Sequence, residues 1–357
     1  MRRPSTTRRF EPHVVGTPHP VATQAPRSRE CLHQMMQAVV LERFGPPEEL
    51  RLRDVPRPGV GPNDILVEVI AAAVNPVDTQ TARGQGSSSW AGIEPPAILG
   101  SDASGVVCEV GPAVKGLRVG DEVFYFSDFL GATAGSYAEY QAVDSRIVAH
   151  KPRELTHVEA AAVPLAGGTA YEVVIKRLAV QRGESLLIFG AAGGVGSYAV
   201  QLGALAGSRV IAVSRKEHHT FLHDLGAEET LDYTEGDVIK AVADRVGEVD
   251  VAVDLVGGET VQRGLQVIRA GGRVATICDL SGNFELAIDK NITIHGVLVR
   301  PNRARLQSLA QLASGGSLRV CIRREFPLAE VVAAHRLVED RHGRGKVVLR
   351  VRPEPTH

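Results

Sequence analysis

The chain is 357 residues long, which at about 150 residues per domain points to two domains, and its 44% hydrophobic and 23% charged residues are the balance of a soluble globular protein. Forty basic side chains against 41 acidic leave a net charge of −1, which removes the electrostatic case for a nucleic-acid partner. The four cysteines (31, 108, 278 and 321) are too scattered for a disulfide framework or zinc knuckle, and no apolar run approaches the roughly 18 residues of a membrane span, so a reducing, cytoplasmic setting with no membrane partner is expected.

Residues 1–36 carry Arg2, Arg3, Arg8, Arg9, Arg27 and Arg29 among five prolines, with only two acids and no periodic apolar pattern. Such a composition has too little apolar surface to bury, and a disordered extension is expected. A transit peptide stays open, as does an upstream extension ahead of a natural start at Met35 or Met36.

From 37 to about 155, short β-branched runs alternate with turn residues: QAVVLERF (37–44), DILVEVIAAAV (64–74), SGVVCEVG (104–111), DEVFYF (121–126) and YAEYQAV (137–143). Gly-Pro at 111–112 and Gly-Asp at 120–121 supply turns, and the pattern predicts a mostly β domain. Near 156 the grammar changes. THVEAAAVPLAGGTAYEVVIKRLAV has helical apolar spacing, and then SLLIFG (185–190), RVIAVS (209–214), VDVAVDLVG (249–257), GRVATIC (272–278) and NITIHGV (291–297) read as strands, with helical segments between several of them. Near-continuous apolar strands set between helices predict an α/β fold with a parallel sheet covered on both faces. FPLAEVVAAHRLVED (326–340) reads as a helix, and KVVLRV (346–351) as a last strand able to rejoin either domain.

The strongest local signal is FGAAGGVGS (189–197). Against G-x-G-x-x-G, Ala191 replaces the first glycine, while Gly193 and Gly196 hold the second and third places. The second lets backbone approach a pyrophosphate, and the third lets the helix press on the strand. A helix opening near 194 turns free N–H groups and its positive dipole end toward phosphates, which makes Ala192, Gly193, Gly194 and Val195 candidate cofactor contacts. At the end of the next strand an NAD site places an acid for the ribose 2′-OH. Here Ser214 holds that place, followed by Arg215 and Lys216, which suit a 2′-phosphate and favour NADP(H). The plainer alternative, two cations opening a solvated helix, stays open, and Glu217 counts slightly against the phosphate.

With that turn, AAAVNPVDTQTARG (71–84), PAILGSDASGVVCEVG (96–111), GSYAEYQAVDSRIVAHKP (135–152), AAAVPLAGGTAYEVV (160–174), AGGRVATI (270–277) and GKVVL (345–349) stand in family order. From about 37 to 351 the chain resembles the medium-chain dehydrogenase/reductase superfamily, in its zinc-independent quinone oxidoreductase (zeta-crystallin-like) branch. The resemblance implies a mostly β GroES-like substrate-side domain at 37–155, completed by about 325–357. It further implies a Rossmann doubly wound parallel sheet binding NADP at 156–324, an active cleft between the two domains, and a homodimer. Where the zinc-dependent members carry a catalytic cysteine and a G-H-E motif, this chain reads VNPVD and Gly100-Ser101-Asp102. The four-cysteine structural lobe has no counterpart, and His219 and His223, spaced for one helix face, lack a carboxylate or cysteine partner. No metal is expected.

The resemblance also assigns roles. Asn75 becomes a catalytic and cofactor-side residue whose amide donates to a developing enolate oxygen, with a turn residue before Pro76 as the alternative. Asp78 is placed near the cofactor or in a structural hydrogen bond, and Tyr125 is either a proton donor or a core aromatic. Thr169 falls at the nicotinamide end, Tyr233 near the adenosine phosphate, Val256 and Cys278 at the sheet's carboxyl edge, and Lys346 close to the cofactor. The activity implied is an NADPH-dependent oxidoreductase passing hydride to a small-molecule acceptor, a quinone or an α,β-unsaturated carbonyl, without a metal. The alternatives are an enoyl-thioester (CoA or ACP) reductase and a non-catalytic NADPH-binding structural or regulatory protein.

Overall fold

The structure, a computed structural model, describes residues 35–85, 93–127 and 135–355. Most of the expected N-terminal extension lies outside the described residues. Its last two residues do not: Met35 and Met36 open the first strand, and Met36 is buried there.

The first half is built on two sheets. In the smaller, β1 (Met35–Leu41) pairs antiparallel with β2 (Leu50–Pro56) and β4 (Ala97–Ile98). The larger contains β3 (Asp64–Val74), β5 (Asp102–Val110), β6 (Glu122–Phe126), β7 (Tyr140–Asp144), β8 (Ala149–His150), β15 (Ile322–Pro327) and β16 (Lys346–Arg350). Its order is β15-β16-β3-β5-β6-β8, with β7 also on β3. The strand β3 is apolar almost throughout because β5, β7 and β16 all pair with it at the centre of the sheet. Two short helices, α1 (Pro76–Ala82) and α2 (His157–Ala161), belong to this half. The last strand, open to either half on sequence grounds, returns here. Phe326 and Pro327 are strand rather than helix: Pro327 is extended (ψ 152°), and α10 (Val331–Glu339) opens only after a short 3-10 turn.

The second half is a parallel sheet of β9 (Ser185–Phe189), β10 (Arg209–Ser214), β11 (Glu229–Asp232), β12 (Val249–Asp254), β13 (Ile268–Thr276) and β14 (Thr293–Gly296). The order β11-β10-β9-β12-β13-β14 places the strand reversal between β9 and β12, the switch point of a doubly wound sheet. Around it run α3 (Pro164–Tyr171), α4 (Gly194–Leu205), α5 (His219–Asp224), α6 (Val238–Arg245), α7 (Thr260–Gly264), α8 (Glu285–Asp289) and α9 (Arg303–Ser314). Alternation along β9 explains its unbroken apolar run. Leu186 and Ile188 point into the core shared with the first half, whereas Leu187 and Phe189 point into a separate core on the other face. Each such burial stabilises the fold by about 1.5–3 kcal/mol.

Candidate active site

The glycine turn joins β9 to α4 beside the switch point. Its tight corner is made by Gly190 at φ +78°, one residue before the alanine that occupies the first motif position; Ala191 and Ala192 are buried. The third glycine has a steric reason: a Cβ on Gly196 would collide with the Gly190 carbonyl oxygen. The first bond into α4 runs from Ser197 N–H to the Gly193 carbonyl (2.9 Å), so the N–H groups of Gly194 and Val195 face out of the helix N-terminus. A Cβ on Gly193 would meet only the Gly190 oxygen at 3.4 Å. The approach side is open, and the turn fits a pyrophosphate.

The neighbouring strand end carries the cations. Ser214 is buried, its hydroxyl donating to the Arg215 carbonyl (3.0 Å). Arg215 donates to the Tyr233 hydroxyl (3.1 Å) and to His342 Nε2 (3.3 Å). Lys216 is turned aside: its backbone N–H donates to Asp232 and its ammonium reaches Glu235 (3.4 Å). His342, 127 residues from Arg215, is the partner that sequence reasoning missed. The signal was the run of basic residues in RHGRG just ahead of the last strand.

At the ends of β12 and β13, buried Asp254 organises the edge. One carboxylate oxygen accepts from the Val256 and Gly257 N–H groups (2.9 and 3.0 Å) and the other from the Thr276 hydroxyl (2.8 Å). Val256 is thereby held out at the edge, 55% exposed. Cys278 follows Thr276, and burial pushes its thiol up to about 11, so it stays protonated near neutrality and is no nucleophile. Thr169 is buried in α3 with its hydroxyl donating to the Leu165 carbonyl (2.8 Å).

A buried polar cluster links this turn to the first half. Asn75 caps α1 in a capping box with Asp78. Its side-chain N–H groups donate to Asp102 (3.0 Å) and the Ala73 carbonyl (3.5 Å), and its oxygen accepts from the Lys346 ammonium. The amide expected to serve an enolate is therefore engaged inward. Lys346 donates through its ammonium to the Val74 carbonyl (3.3 Å) and pairs with Asp102 (3.5 Å). It meets the glycine turn through its stem, since a Cβ on Gly194 would lie 2.9 Å from Lys346 Cδ. Asp78 accepts from the Asn75 N–H (2.8 Å) and the Tyr137 hydroxyl (2.9 Å). Burial raises it to about 7, with the Asp102 charge adding to the rise and Lys346 opposing it. Burial likewise raises Asp102, against Lys346, and lowers Lys346, against both acids.

Tyr125 is a correction. It lies on β6 with both faces of its strand covered, fully buried, its hydroxyl donating to Gln141 (2.9 Å). Burial holds that hydroxyl far above its ordinary range. It is a core aromatic, not a donor at the cleft. Among the described residues no group of three or more His, Cys, Asp or Glu is placed to hold a metal. The ring nitrogens of His223 face the Ala227 carbonyl (2.8 Å) and the Thr230 hydroxyl (3.2 Å).

A doubly wound sheet, a helix N-terminus open to a pyrophosphate and a barrel-like half packed against it define a nicotinamide-dependent oxidoreductase. Residues 61–153 match the family described as alcohol dehydrogenase GroES-like domain, and residues 225–349 that described as zinc-binding dehydrogenase. The mouse protein named NAD(P)H oxidoreductase RTN4IP1, mitochondrial, is 32% identical, the match covering 89% of this chain and 89% of the relative. The NADPH-dependent alkenal/one oxidoreductase, chloroplastic, of Arabidopsis thaliana is 31% identical over 88% of this chain and 79% of its own length. The solved quinone oxidoreductase of Coxiella burnetii superposes with a TM-score of 0.84 at 35% identity, covering 89% of this chain and all of that one. The chain belongs to the medium-chain dehydrogenase/reductase superfamily, where its relatives include quinone oxidoreductases and alkenal reductases.

Proposed function

We propose that the protein is an NADPH-dependent reductase of quinones or α,β-unsaturated carbonyls that works without a metal. The observation carrying this reading is Arg215, hydrogen-bonded to Tyr233 and His342, at the strand end where an NAD site needs a carboxylate. Gly193, Gly194 and Val195 would hold the pyrophosphate, and Thr169, Val256 and Cys278 would border the nicotinamide end. Arg215 and Tyr233, with Lys216 beside them, would hold the 2′-phosphate. The coenzyme supplies hydride when bound, and an electron-poor acceptor takes it at carbon and spreads the charge onto its own oxygen. With the Asn75 amide engaged by Asp102 and Lys346, this chain holds the corner of the acceptor site rigid, and the proton comes from water. Cytoplasmic placement and a homodimer belong to the same reading. Cys108, Cys278 and Cys321 are free thiols, and no helix among the described residues is long and apolar enough to cross a membrane.

The test follows NADPH absorbance with a quinone, a 2-alkenal, a cyclic enone and crotonyl-CoA. Oxidation with the quinone or the carbonyls is expected. Oxidation with the CoA ester alone would reassign the protein as an enoyl-thioester reductase, and tight binding without turnover on any acceptor as a non-catalytic binder.

A further inference from the structure

The phosphate corner draws on both halves of the fold. Arg215 follows β10 and Tyr233 follows β11, whereas His342 and Arg344 stand between α10 and β16. Arg215 directs one N–H to the Tyr233 hydroxyl at 3.1 Å and another to His342 Nε2 at 3.3 Å. A guanidinium offers only donors, so an imidazole nitrogen bonded to it must be an acceptor. Nε2 is therefore the acceptor in this arrangement. A phosphate monoester seated between the two side chains reverses that demand. It brings about −1.5 to −2 charges and three acceptor oxygens, and each needs donors. Imidazole is the side chain able to supply one by taking up a proton between about pH 5 and 8.

We propose that seating the 2′-phosphate is coupled to uptake of one proton by His342, so that pH sets the preference for the phosphorylated coenzyme over the non-phosphorylated one; this rests on the NADPH reading above. The proton comes from solvent on binding and returns to it on release, and no other covalent bond is made or broken. Arg323 of β15 packs its guanidinium against Gly343, next to His342 in the chain, and pairs with Asp340 (3.9 Å). Arg215 is the cation in contact with the ring, and Glu217 and Asp340 lie near enough to Arg215 to act on its charge. Arg341 and Arg344 flank His342 in its own segment, and Lys216 is turned to Glu235. His218, the other imidazole near Arg215, is pushed down by burial and by Arg344, Arg215 and Arg323, with Glu217 opposing, and it is present in both proteins compared.

The experiment is a fluorescence titration of the full chain with NADPH and with NADH, near pH 6 and near pH 8, for the wild type and His342→Gln. His342 is exposed, so folding of the variant is not at stake. In the wild type the NADPH-over-NADH affinity ratio is expected to fall about fivefold or more as pH rises. In His342→Gln it does not fall, and it rises by no more than about twofold as the phosphate completes its own second ionisation near pH 6. Calorimetry in two buffers of different ionisation enthalpy should show proton uptake with NADPH in the wild type and none with NADH. A ratio that is flat in the wild type, or that falls equally in both proteins, overturns the coupling. The absence of any NADPH preference at either pH overturns the NADPH reading itself.

Discussion

Asp78 is a carboxyl group with no exposed surface, tied to the Asn75 N–H and the Tyr137 hydroxyl and raised to about 7 by burial. The sign of its effect on stability is the reverse of the usual acid. Between its ordinary value of 3.8 and about 7 the folded chain keeps a proton that the unfolded chain has lost, so stability falls as pH rises through that window. The shift corresponds to about 4 kcal/mol. Asp78→Asn removes the titration yet keeps an oxygen able to accept both hydrogen bonds. Thermal denaturation should show the variant gaining on the wild type from about pH 4 to 7 and holding the gain above. A difference independent of pH would mean that Asp78 ionises normally inside the fold. Asp102 is raised in the same sense and its charge acts on Asp78, so the pH-dependent difference reports the coupled pair.

At the scale of elements, Lys346 at the head of β16 is a strut between the glycine turn and the β3–α1 corner. Gly345 N–H donates to the Ala192 carbonyl (3.0 Å), the Lys346 stem lies under Gly194, and its ammonium pairs with Asp102, which also accepts from Leu165 N–H at the start of α3 (2.8 Å). Lys346→Met keeps the stem but leaves Asp102 buried and unpaired, which should cost about 3–5 kcal/mol. Adding Asp102→Asn removes the orphaned charge and keeps an acceptor for Leu165, so the double variant should recover most of that loss in a denaturant titration. If the two losses simply add, packing rather than charge holds this strut. These elements also divide what the sequence made legible from what it did not. FGAAGGVGS and Ser214-Arg215-Lys216 are contiguous, so spacing alone placed them. The Lys346–Asn75 bond spans 271 residues and Arg215–His342 127, and only the closed fold brings such partners together. Tyr125 misled because EVFYF is apolar on both faces, so its pattern does not separate core from cleft. The parallel character of the second sheet followed from strand–helix alternation, whereas its strand order and the return of β16 to the first half depended on pairings that no local pattern encodes.

Across the whole molecule, the C-terminal segment ties the two halves together. It supplies β15 and β16 to the first-half sheet, places Gly345 on the cofactor turn, and carries Glu354, whose carboxylate accepts from the first two N–H groups of α2 (3.3 and 3.2 Å). Because β16 lies between β15 and β3, its removal would open two ladders at once and take away the buried side chains of Val347, Val348 and Leu349. At about 1.5–3 kcal/mol for each side chain, that burial is comparable to the entire stability of a typical domain, about 5–15 kcal/mol. A chain ending at Arg344 should therefore lack a cooperative thermal transition and bind no NADPH. A chain ending at Pro353 keeps β16 and, among the described residues, loses the Glu354 contacts at α2. It should stay folded, with a midpoint lower by a few degrees, the size expected for losing about 1 kcal/mol of helix capping. A cooperative transition in the shorter chain would show that the first-half sheet closes without its central C-terminal strand, and that the cofactor turn does not depend on Gly345 and Lys346 for its shape.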